Sequence, residues 1–341
     1  MDNKRPFAFN RHVDHLLMNL DWCIDEQWGL RMLAEYVSQV EGVTESKSFG
    51  DLLMEEFKAQ KHAQRTVIIS PSFAKSDAKK AVDFQSNNFS DFGGENPVPP
   101  GSIAHLKISG VMQMRSSLST RGMDSFCEDL QACSQNPNIS AAIVEVDSGG
   151  GLSLAGQMVR NAIDDASIPV VTYAHFIGSA AVHGTLPSDH IMLAGESSQM
   201  GSIGSMVTVN KELLAWYKET YDDIYAEVST DKNKEFRALL KGDKGPITES
   251  VTQNAIAFQN AVKKHRELDK SLEESTLSGG MFPATDAINR GLADSTGTFR
   301  DAVNLAASLA GLSSFAVPAP VTEPEETTKA NNKDNLPNSN T

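Results

Sequence analysis

Cysteine is scarce in this chain of 341 residues, which contains only three. Cys23, Cys127 and Cys133 form no CxxC pair and lie near no histidine at metal-ligand spacing. These absences argue against a disulfide scaffold and a zinc site, and they indicate a reducing compartment. No GxGxxG or GxxxxGK[ST] segment is present, so nucleotide binding has little support. We therefore expect neither a metal nor a cofactor.

Long apolar runs are also missing. No run approaches the length of about 20 residues that a membrane span needs. The first twenty residues begin with basic side chains but are interrupted by polar ones before an apolar core can form. We therefore expect no signal peptide and no membrane anchor, and a soluble protein in the cytoplasm.

Positive charge is in deficit, because the net charge is −14 at pH 7. An acidic surface repels phosphate backbones, so we expect no nucleic acid among the direct partners. The remaining composition, with 40% hydrophobic and 22% charged residues, is typical of one large globular domain or two modest ones.

The composition and the apolar periodicity of the chain change along its length and divide it into four regions. Apolar residues recur at helical spacing between residues 11 and 42, which predicts a helical N-terminal region over 1–75. Residues 76–100 are rich in Asn, Ser, Gly and Pro and predict a polar linker. Residues 101–312 carry the folded domain, and 313–341 lack apolar periodicity and predict a disordered tail.

Strand-like and helical segments alternate within the folded domain. This alternation predicts an α/β class with a mainly parallel sheet. The predicted strands are 66–69, 103–111, 141–146, 170–174 and 191–193, and the predicted helices are 123–133, 154–166, 249–268 and 299–309.

Several short segments could carry chemistry. The glycines of Asp147–Gly151 follow a strand directly and could present bare N–H groups to an oxyanion, or could form a plain tight turn. Ser179, among small residues after another strand, could be a nucleophile or a helix N-cap. The Gly201–Gly204 turn and the lysine-rich stretch Val228–Lys244 complete the set. Taken one at a time, each is more often structural than catalytic.

The order and spacing of these segments resemble the signal peptide peptidase A family, which shares the fold of crotonases and Clp proteases. The resemblance covers roughly residues 101–310 and implies a serine peptidase with a Ser–Lys dyad. The matching segments are Asp147–Gly151, Ile168–Val171, Gly178–Ala181, Ser188–Ile191, Gly201–Gly204, Thr230–Glu235 and Ser278–Asp294.

The resemblance assigns the catalytic roles residue by residue. Ser179 matches the nucleophile, Lys234 the general base, and Ser202 the serine that hydrogen-bonds the lysine. Asp231 stands where the family usually has glycine, which leaves Lys232 as the second choice for the base. The backbone N–H groups of Ala180 and of either Gly150 or Gly151 match the oxyanion hole. Gly149 replaces the proline usual in that turn.

Other readings of the same segments stay open. A Clp-type triad would need a histidine, and His183 and His190 follow Ser179 too soon, with His265 the next one downstream. A crotonase-type acyl-CoA lyase or hydratase would not need the Gly-Ser-Ile-Gly and lysine segments. A non-enzymatic shell component of the same fold is a third possibility.

The predicted soluble N-terminal region distinguishes the chain from the cellular family members that are anchored by a transmembrane helix. Its layout resembles the phage minor capsid protein C and head maturation protease branch, which implies cleavage of scaffold, portal or coat proteins in the prohead within the host cytoplasm. A soluble cellular signal-peptide-peptidase-like protease is the alternative. The family also implies a homo-oligomeric ring in which neighbouring subunits complete each active site.

Overall fold

The structure is a computed structural model that describes residues 22–24, 66–69, 97–116 and 121–312. Most of the predicted helical region, most of the predicted linker and the predicted tail over 313–341 lie outside these residues. In chain order the strands are β1 (Trp22–Ile24), β2 (Val67–Ile69), β3 (Ser102–Ser109), β4 (Ile139–Ser148), β5 (Gly150–Leu152), β6 (Val170–Gly178), β7 (His190–Leu193), β8 (Gln199–Gly201), β9 (Met281–Pro283) and β10 (Ser295–Thr296).

The helices of the described region connect these strands and cover the sheet. They are α1 (Met123–Gln135), α2 (Ser153–Asp164), α3 (Ala180–Thr185), α4 (Lys211–Thr220), α5 (Lys234–Leu240), α6 (Gly245–His265), α7 (Glu273–Thr276), α8 (Ala284–Asn289) and α9 (Phe299–Leu309).

The main sheet has the strand order β10-β7-β6-β4-β3-β2. Neighbours from β10 to β3 are parallel, whereas β2 pairs antiparallel with β3 at the edge. The first half of β6 pairs with β7, and its last residues pair with β8, which is antiparallel to β9. A mainly parallel sheet with connecting helices confirms the predicted α/β class.

Alternate residues of β4 face opposite sides of the sheet. Ala142, Val144 and Val146 belong to the larger core cluster, which includes buried residues of α1, α2 and α3. Ala141 and Ile143 belong to a smaller cluster with α9. Because both faces are covered, the strand is apolar at nearly every position, as central parallel strands are.

Glu145 is the charged exception within β4. Its carboxylate lies 2.9 Å from His105 Nε2, 3.0 Å from His175 Nε2 and 3.2 Å from Lys107 Nζ. Burial opposes ionisation of this carboxyl, but the hydrogen bond and charge of His105, together with Lys107, hold its pKa far below the ordinary value. Glu145 and its basic neighbours therefore keep a negative charge on the face of the sheet that packs against α9.

Most of the predicted elements are present within a few residues of their expected bounds, and the helix over 299–309 agrees at both ends. Two expectations are wrong. Trp22–Ile24, inside the predicted helical region, form a strand that pairs with β5. The family resemblance also implies a strand that ends in the Thr230–Glu235 segment, but in the described residues turns precede a helix beginning at Lys234.

The second correction has a physical reason. Ile224 and Val228, the large apolar residues just before this segment, are 96% and 92% exposed, so a strand here would have no packed face. An extended segment also needs a neighbouring strand for its backbone hydrogen bonds, and none flanks this one among the described elements. Separately, no described helix is long and apolar enough to cross a membrane.

Candidate active site

Ser179 lies at a sharp turn between β6 and α3. Its backbone has φ 52° and ψ −115°, a conformation that favours glycine. Its N–H donates to the Gly201 carbonyl at 2.9 Å, and its own carbonyl accepts from the His183 N–H at 2.9 Å. A non-glycine residue in such a conformation costs about 1–3 kcal/mol, and it persists only where the surroundings impose it. Such strain is concentrated at active sites and ligand clamps.

Two glycines on adjoining helices impose that conformation. A Cβ on Gly156 of α2 would lie 2.6 Å from the Ala180 carbonyl oxygen, and one on Gly184 of α3 would lie 3.0 Å from Val159 side-chain atoms. The two helices therefore pack backbone against backbone, which only residues without a side chain allow. This packing fixes the start of α3 and, with it, Ser179.

The glycine turn predicted as an oxyanion site lies at the same end of the sheet. Ser148 at the end of β4 is opposite Ile177 of β6 in register, two residues before Ser179. The Ser148 hydroxyl donates to the Gly110 carbonyl at 2.6 Å and accepts from the Gly150 N–H at 3.1 Å. Because parallel strands end together, this turn and the serine are neighbours.

The candidate oxyanion donors have different surroundings. The Gly150 N–H is engaged by Ser148, and the φ of Gly150 is 101°, which a side chain would disfavour. The Ala180 N–H is in the first turn of a helix, where amides lack an intrahelical acceptor. Gly151 lies against Met112, whose carbonyl oxygen would be 2.2 Å from a Cβ at position 151. Gly151 is also opposite Cys23 of β1 in register, so Ala180 with either Gly150 or Gly151 stays the predicted pair.

Ser202 is joined to the nucleophile turn through the backbone. Gly201 is opposite Gly178 in register, so Ser202 follows β8 as Ser179 follows β6. The Ser202 N–H donates to the Gly280 carbonyl at 2.8 Å, and Ser202 has φ 56°. The predicted nucleophile and the serine predicted to hydrogen-bond the lysine thus follow two paired strands side by side.

The predicted lysines lie apart from this pair. Both Lys232 and Lys234 are exposed, and within the described part of the chain neither side chain hydrogen-bonds to Ser179 or Ser202. Asn233, between them, has φ 53°. The non-glycine residues with positive φ in the described ranges are therefore Ser179, Ser202 and Asn233, one at each segment that the sequence assigned to catalysis.

The lysines belong to a segment that packs poorly on its own subunit. Helix α4 buries none of its residues. Large hydrophobic side chains are exposed along the segment, which we call the 206–240 arm. They are Met206 (39%), Trp216 (46%), Tyr221 (51%), Ile224 (96%) and Val228 (92%).

The first two histidines after Ser179 in the chain are engaged elsewhere. Arg160 Nη1 lies 2.7 Å from His183 Nε2, and the His183 ring packs on Phe258 with centroids 4.7 Å apart. Burial, and then the charge of Arg160, lower the pKa of His183 to about 4, so its ring is neutral and accepts from the guanidinium. His190 Nε2 lies 2.8 Å from Ser295 Oγ. Neither ring is placed to activate Ser179.

Two of the cysteines have thiols whose environment is described, Cys127 and Cys133. Burial raises the pKa of Cys127 to about 11 and that of Cys133 to about 12, so both thiols are protonated at neutral pH and poor nucleophiles. No cluster of His, Cys, Asp and Glu able to hold a metal ion occurs in those ranges.

Comparison with known proteins agrees with the chemistry of this site. Residues 162–313, which include Ser179, Ser202 and Lys234, match the family model described as Peptidase family S49. The chain is 22% identical to Protease 4 of Haemophilus influenzae over 216 residues, covering 62% of this chain and 35% of that protein.

Two further relatives carry protease names. The chain is 24% identical to Protease 4 of Salmonella typhi over 243 residues, covering 69% of this chain and 39% of the relative. It is 24% identical to the chloroplastic serine protease SPPA of Arabidopsis thaliana over 224 residues, covering 62% and 32%. The chain thus spans only 32–39% of the length of these relatives. The chain is therefore similar to serine peptidases of family S49 over part of its length.

Solved structures with a similar arrangement have low sequence identity. A ClpP1 mutant from Listeria monocytogenes is 10% identical, with a TM-score of 0.39, and covers 58% of this chain and 93% of its own. A methylmalonyl-CoA decarboxylase is 10% identical, with a TM-score of 0.37, and covers 63% of this chain and 74% of its own.

Proposed function

We propose that this chain is a serine endopeptidase of family S49 in which Ser179 is the nucleophile and Lys234 the general base. The observation that carries the proposal is the strained turn at Ser179, held beside the Asp147–Gly151 turn and hydrogen-bonded to the Gly201 carbonyl. Strain of this kind presents a side chain at the end of a sheet, where ligands of α/β proteins bind.

The reaction follows from the assigned groups. Neutral Lys234 takes the proton of the Ser179 hydroxyl as its oxygen attacks the scissile carbonyl, and the N–H groups of Gly151 and Ala180 bind the resulting oxyanion. The lysine returns the proton to the leaving amine, which breaks the peptide bond and leaves an acyl-enzyme. A water molecule, deprotonated by the same lysine, then releases the acyl group and restores the serine.

A lysine in this role needs a site that favours its neutral form, and on its own subunit Lys234 is exposed. We therefore assign the base at each site to the 206–240 arm of a neighbouring copy. The exposed apolar residues of the arm support this assignment, because a patch of that kind is typical of protein interfaces. Docking of the arm on a second copy would desolvate the lysine and lower its pKa.

A buried orphan atom in the same region also supports an incomplete site. Ser205 Oγ, three residues after Ser202, is inaccessible to solvent and has no hydrogen-bond partner in the described residues. Buried hydroxyl groups nearly always have a partner. A rearrangement of this segment on docking of a neighbouring copy would supply one, which suits a site completed in a homo-oligomeric ring.

The biological substrates belong to the proposal as well. The resemblance to the phage head maturation branch favours scaffold, portal or coat proteins, cut in the prohead. A soluble cellular protease of the signal-peptide-peptidase type, acting on other polypeptides, fits the same site. A shell component without activity is the third candidate, and the strained Ser179 argues against it because an inert subunit has no need of that strain.

Mass spectrometry of cleavage products tests the proposal. Wild type, Ser179→Ala and Ser197→Ala are each expressed with candidate scaffold, portal and coat proteins and, separately, incubated with unfolded model polypeptides. Ser197 is exposed, which makes it a matched control. Cleavage by wild type and Ser197→Ala but not by Ser179→Ala supports the assignment. Equal cleavage by all three removes Ser179 as nucleophile, and no cleavage of any polypeptide favours the shell component.

A further inference from the structure

Strand β5 has two edges, and one of them is occupied within the domain. Met112 N donates to the Gly150 carbonyl at 2.8 Å, and Leu152 N donates to the Met112 carbonyl at 3.0 Å. Both of those β5 groups therefore face Met112. Since backbone groups of successive strand residues point to alternate edges, the N–H and C=O of Gly151 face the opposite edge.

The opposite edge of β5 is covered by β1 of the same chain. The pairing is antiparallel, with Trp22 opposite Leu152, Cys23 opposite Gly151, and Ile24 opposite Gly150. Because the polar groups of Gly151 face this edge, Cys23 and Gly151 form the hydrogen-bonded pair of the ladder. The Gly151 N–H is the group that our mechanism assigns to the oxyanion.

We infer that β1 is a strand that masks the site in cis, occupying the β5 edge and its oxyanion donor until an extended peptide displaces it. The catalytic consequence rests on the proposed function, whereas the strand exchange itself does not. The occupant that replaces β1 is an extended polypeptide, because an exposed strand edge binds main chain through its ladder of hydrogen bonds.

The length of β1 suits a displaceable mask. Three residues supply few ladder hydrogen bonds, so the strand is held mainly by its attachment to the same chain, which gives it an effective concentration on the order of millimolar. A longer substrate strand can form additional bonds and compete. When only a fraction of the molecules is unmasked, the apparent affinity for substrate equals the intrinsic affinity multiplied by that fraction. Masking should therefore raise the apparent KM and leave kcat unchanged.

Two proline variants separate strand pairing from general damage. Proline lacks an N–H and its ring projects where that hydrogen would be. The Cys23 N–H faces β5, so Cys23→Pro should detach β1. The Ile24 N–H faces away, so Ile24→Pro is the matched control that should keep the pairing. Cys23→Ala keeps the N–H and controls for loss of the thiol.

Amide hydrogen exchange in the full-length chain reads the pairing without any activity assay. In wild type, Ile24→Pro and Cys23→Ala, the fragment containing Gly151 should retain one more slowly exchanging amide than in Cys23→Pro. A Gly151 amide that exchanges freely in wild type, or equally in all four proteins, overturns the inference.

A peptide with the sequence of residues 19–27 tests the exchange of strands. It is labelled with a fluorophore and titrated against full-length chains carrying Ser179→Ala, so that it is not cut. The peptide should bind the chain carrying Ser179→Ala and Cys23→Pro on the order of tenfold more tightly than the chain carrying Ser179→Ala and Ile24→Pro. This ratio is expected if β1 masks about nine-tenths of the molecules in the second protein. Equal binding to both overturns the inference.

Kinetics on an unfolded model polypeptide then distinguish the two proposals. The expected result is an apparent KM about tenfold lower in Cys23→Pro, with kcat unchanged. Cleavage that depends on Ser179 but has the same KM in both proline variants overturns the masking and leaves the proposed function standing. Absence of cleavage in every protein, with the exchange and binding differences present, overturns the proposed function and supports the strand exchange.

Discussion

The amide nitrogen of Ser179 donates a hydrogen bond of 2.9 Å to the carbonyl oxygen of Gly201. This bond joins two turns that both contain a serine with positive φ, since Ser202 immediately follows Gly201. The Ser202 N–H in turn donates to Gly280, so the second turn is anchored on the loop before β9. The positions of the two hydroxyl groups are thus set by main-chain contacts, which do not depend on either hydroxyl.

This strain predicts opposite effects of two substitutions at Ser179. Glycine accepts the observed φ of 52° without a clash, whereas alanine keeps the Cβ that makes it costly. Ser179→Gly should therefore have a free energy of unfolding about 1 kcal/mol larger than that of Ser179→Ala, and thermal unfolding should show this as a higher melting temperature. Both variants should be inactive. Equal stability of the two variants would show that the turn is not strained.

The close approach of α2 and α3 predicts a second effect. A Cβ at position 156 would lie 2.6 Å from the Ala180 carbonyl oxygen, so Gly156→Ala must push α3 and Ser179 away. We expect a loss of about 1–3 kcal/mol in the free energy of unfolding and a large fall in kcat. Gly195→Ala is the control, because nothing lies within 4 Å of a Cβ there. Comparable behaviour of both variants would refute the packing argument.

The environment of His183 predicts a pH dependence of stability. Burial lowers its pKa to about 4 from an unfolded value near 6.5, so between these pH values the unfolded chain binds more protons. Its contribution to stability is therefore complete above about pH 6.5 and is lost progressively as the pH falls toward 4. His183→Gln removes this titration while leaving an oxygen that can accept from Arg160.

Thermal unfolding between pH 4 and 8 checks this expectation, and the wild type should lose more stability on acidification than the glutamine variant. The same variant tests the rival triad. We expect His183→Gln to keep activity within about threefold of wild type at pH 7, since the ring is not the base. A fall in activity of about a hundredfold or more, which is typical for a missing general base, would instead identify His183 as the base.

The strands and turns that carry the candidate site could be predicted from the sequence because their signals are local. The apolar run of β4 followed directly by glycines indicated a buried strand and a turn, and small residues around Ser179 indicated a strand-to-helix transition. The resemblance added Ser202, as the serine that hydrogen-bonds the lysine. The structure brings these segments to one end of the sheet.

The rest depended on contacts between distant backbone groups. Nothing at position 201 or 280 identifies a carbonyl as the acceptor of a serine amide, because every residue has the same carbonyl. The helical spacing near residue 22 concealed a strand, since pairing with β5 is decided by an edge more than a hundred residues away. The placement of Lys234 could not be predicted either, because its segment buries little on its own subunit.

An active site shared between copies predicts complementation. Ser179→Ala and Lys234→Ala should each be inactive, but a mixture that exchanges subunits should regain activity at sites where an intact Ser179 meets an intact Lys234. Random mixing in equal amounts would restore about a quarter of the sites. Lys232→Ala mixed with Lys234→Ala is the control and should match the diluted Lys232→Ala protein. If the mixture of Ser179→Ala and Lys234→Ala stays inactive although mass spectrometry shows that subunits exchange, Ser179 and Lys234 of one site lie on the same subunit.

The most direct test of the dyad is the covalent labelling of Ser179 by a fluorophosphonate, followed by mass spectrometry of the peptide that carries the adduct. The reagent reacts with serines whose hydroxyl is activated by a base. The account predicts one adduct, on Ser179, in wild type and Lys232→Ala, with labelling slowed on the order of a hundredfold or more in Lys234→Ala. Labelling of another serine, or equal rates in Lys234→Ala and wild type, would contradict it.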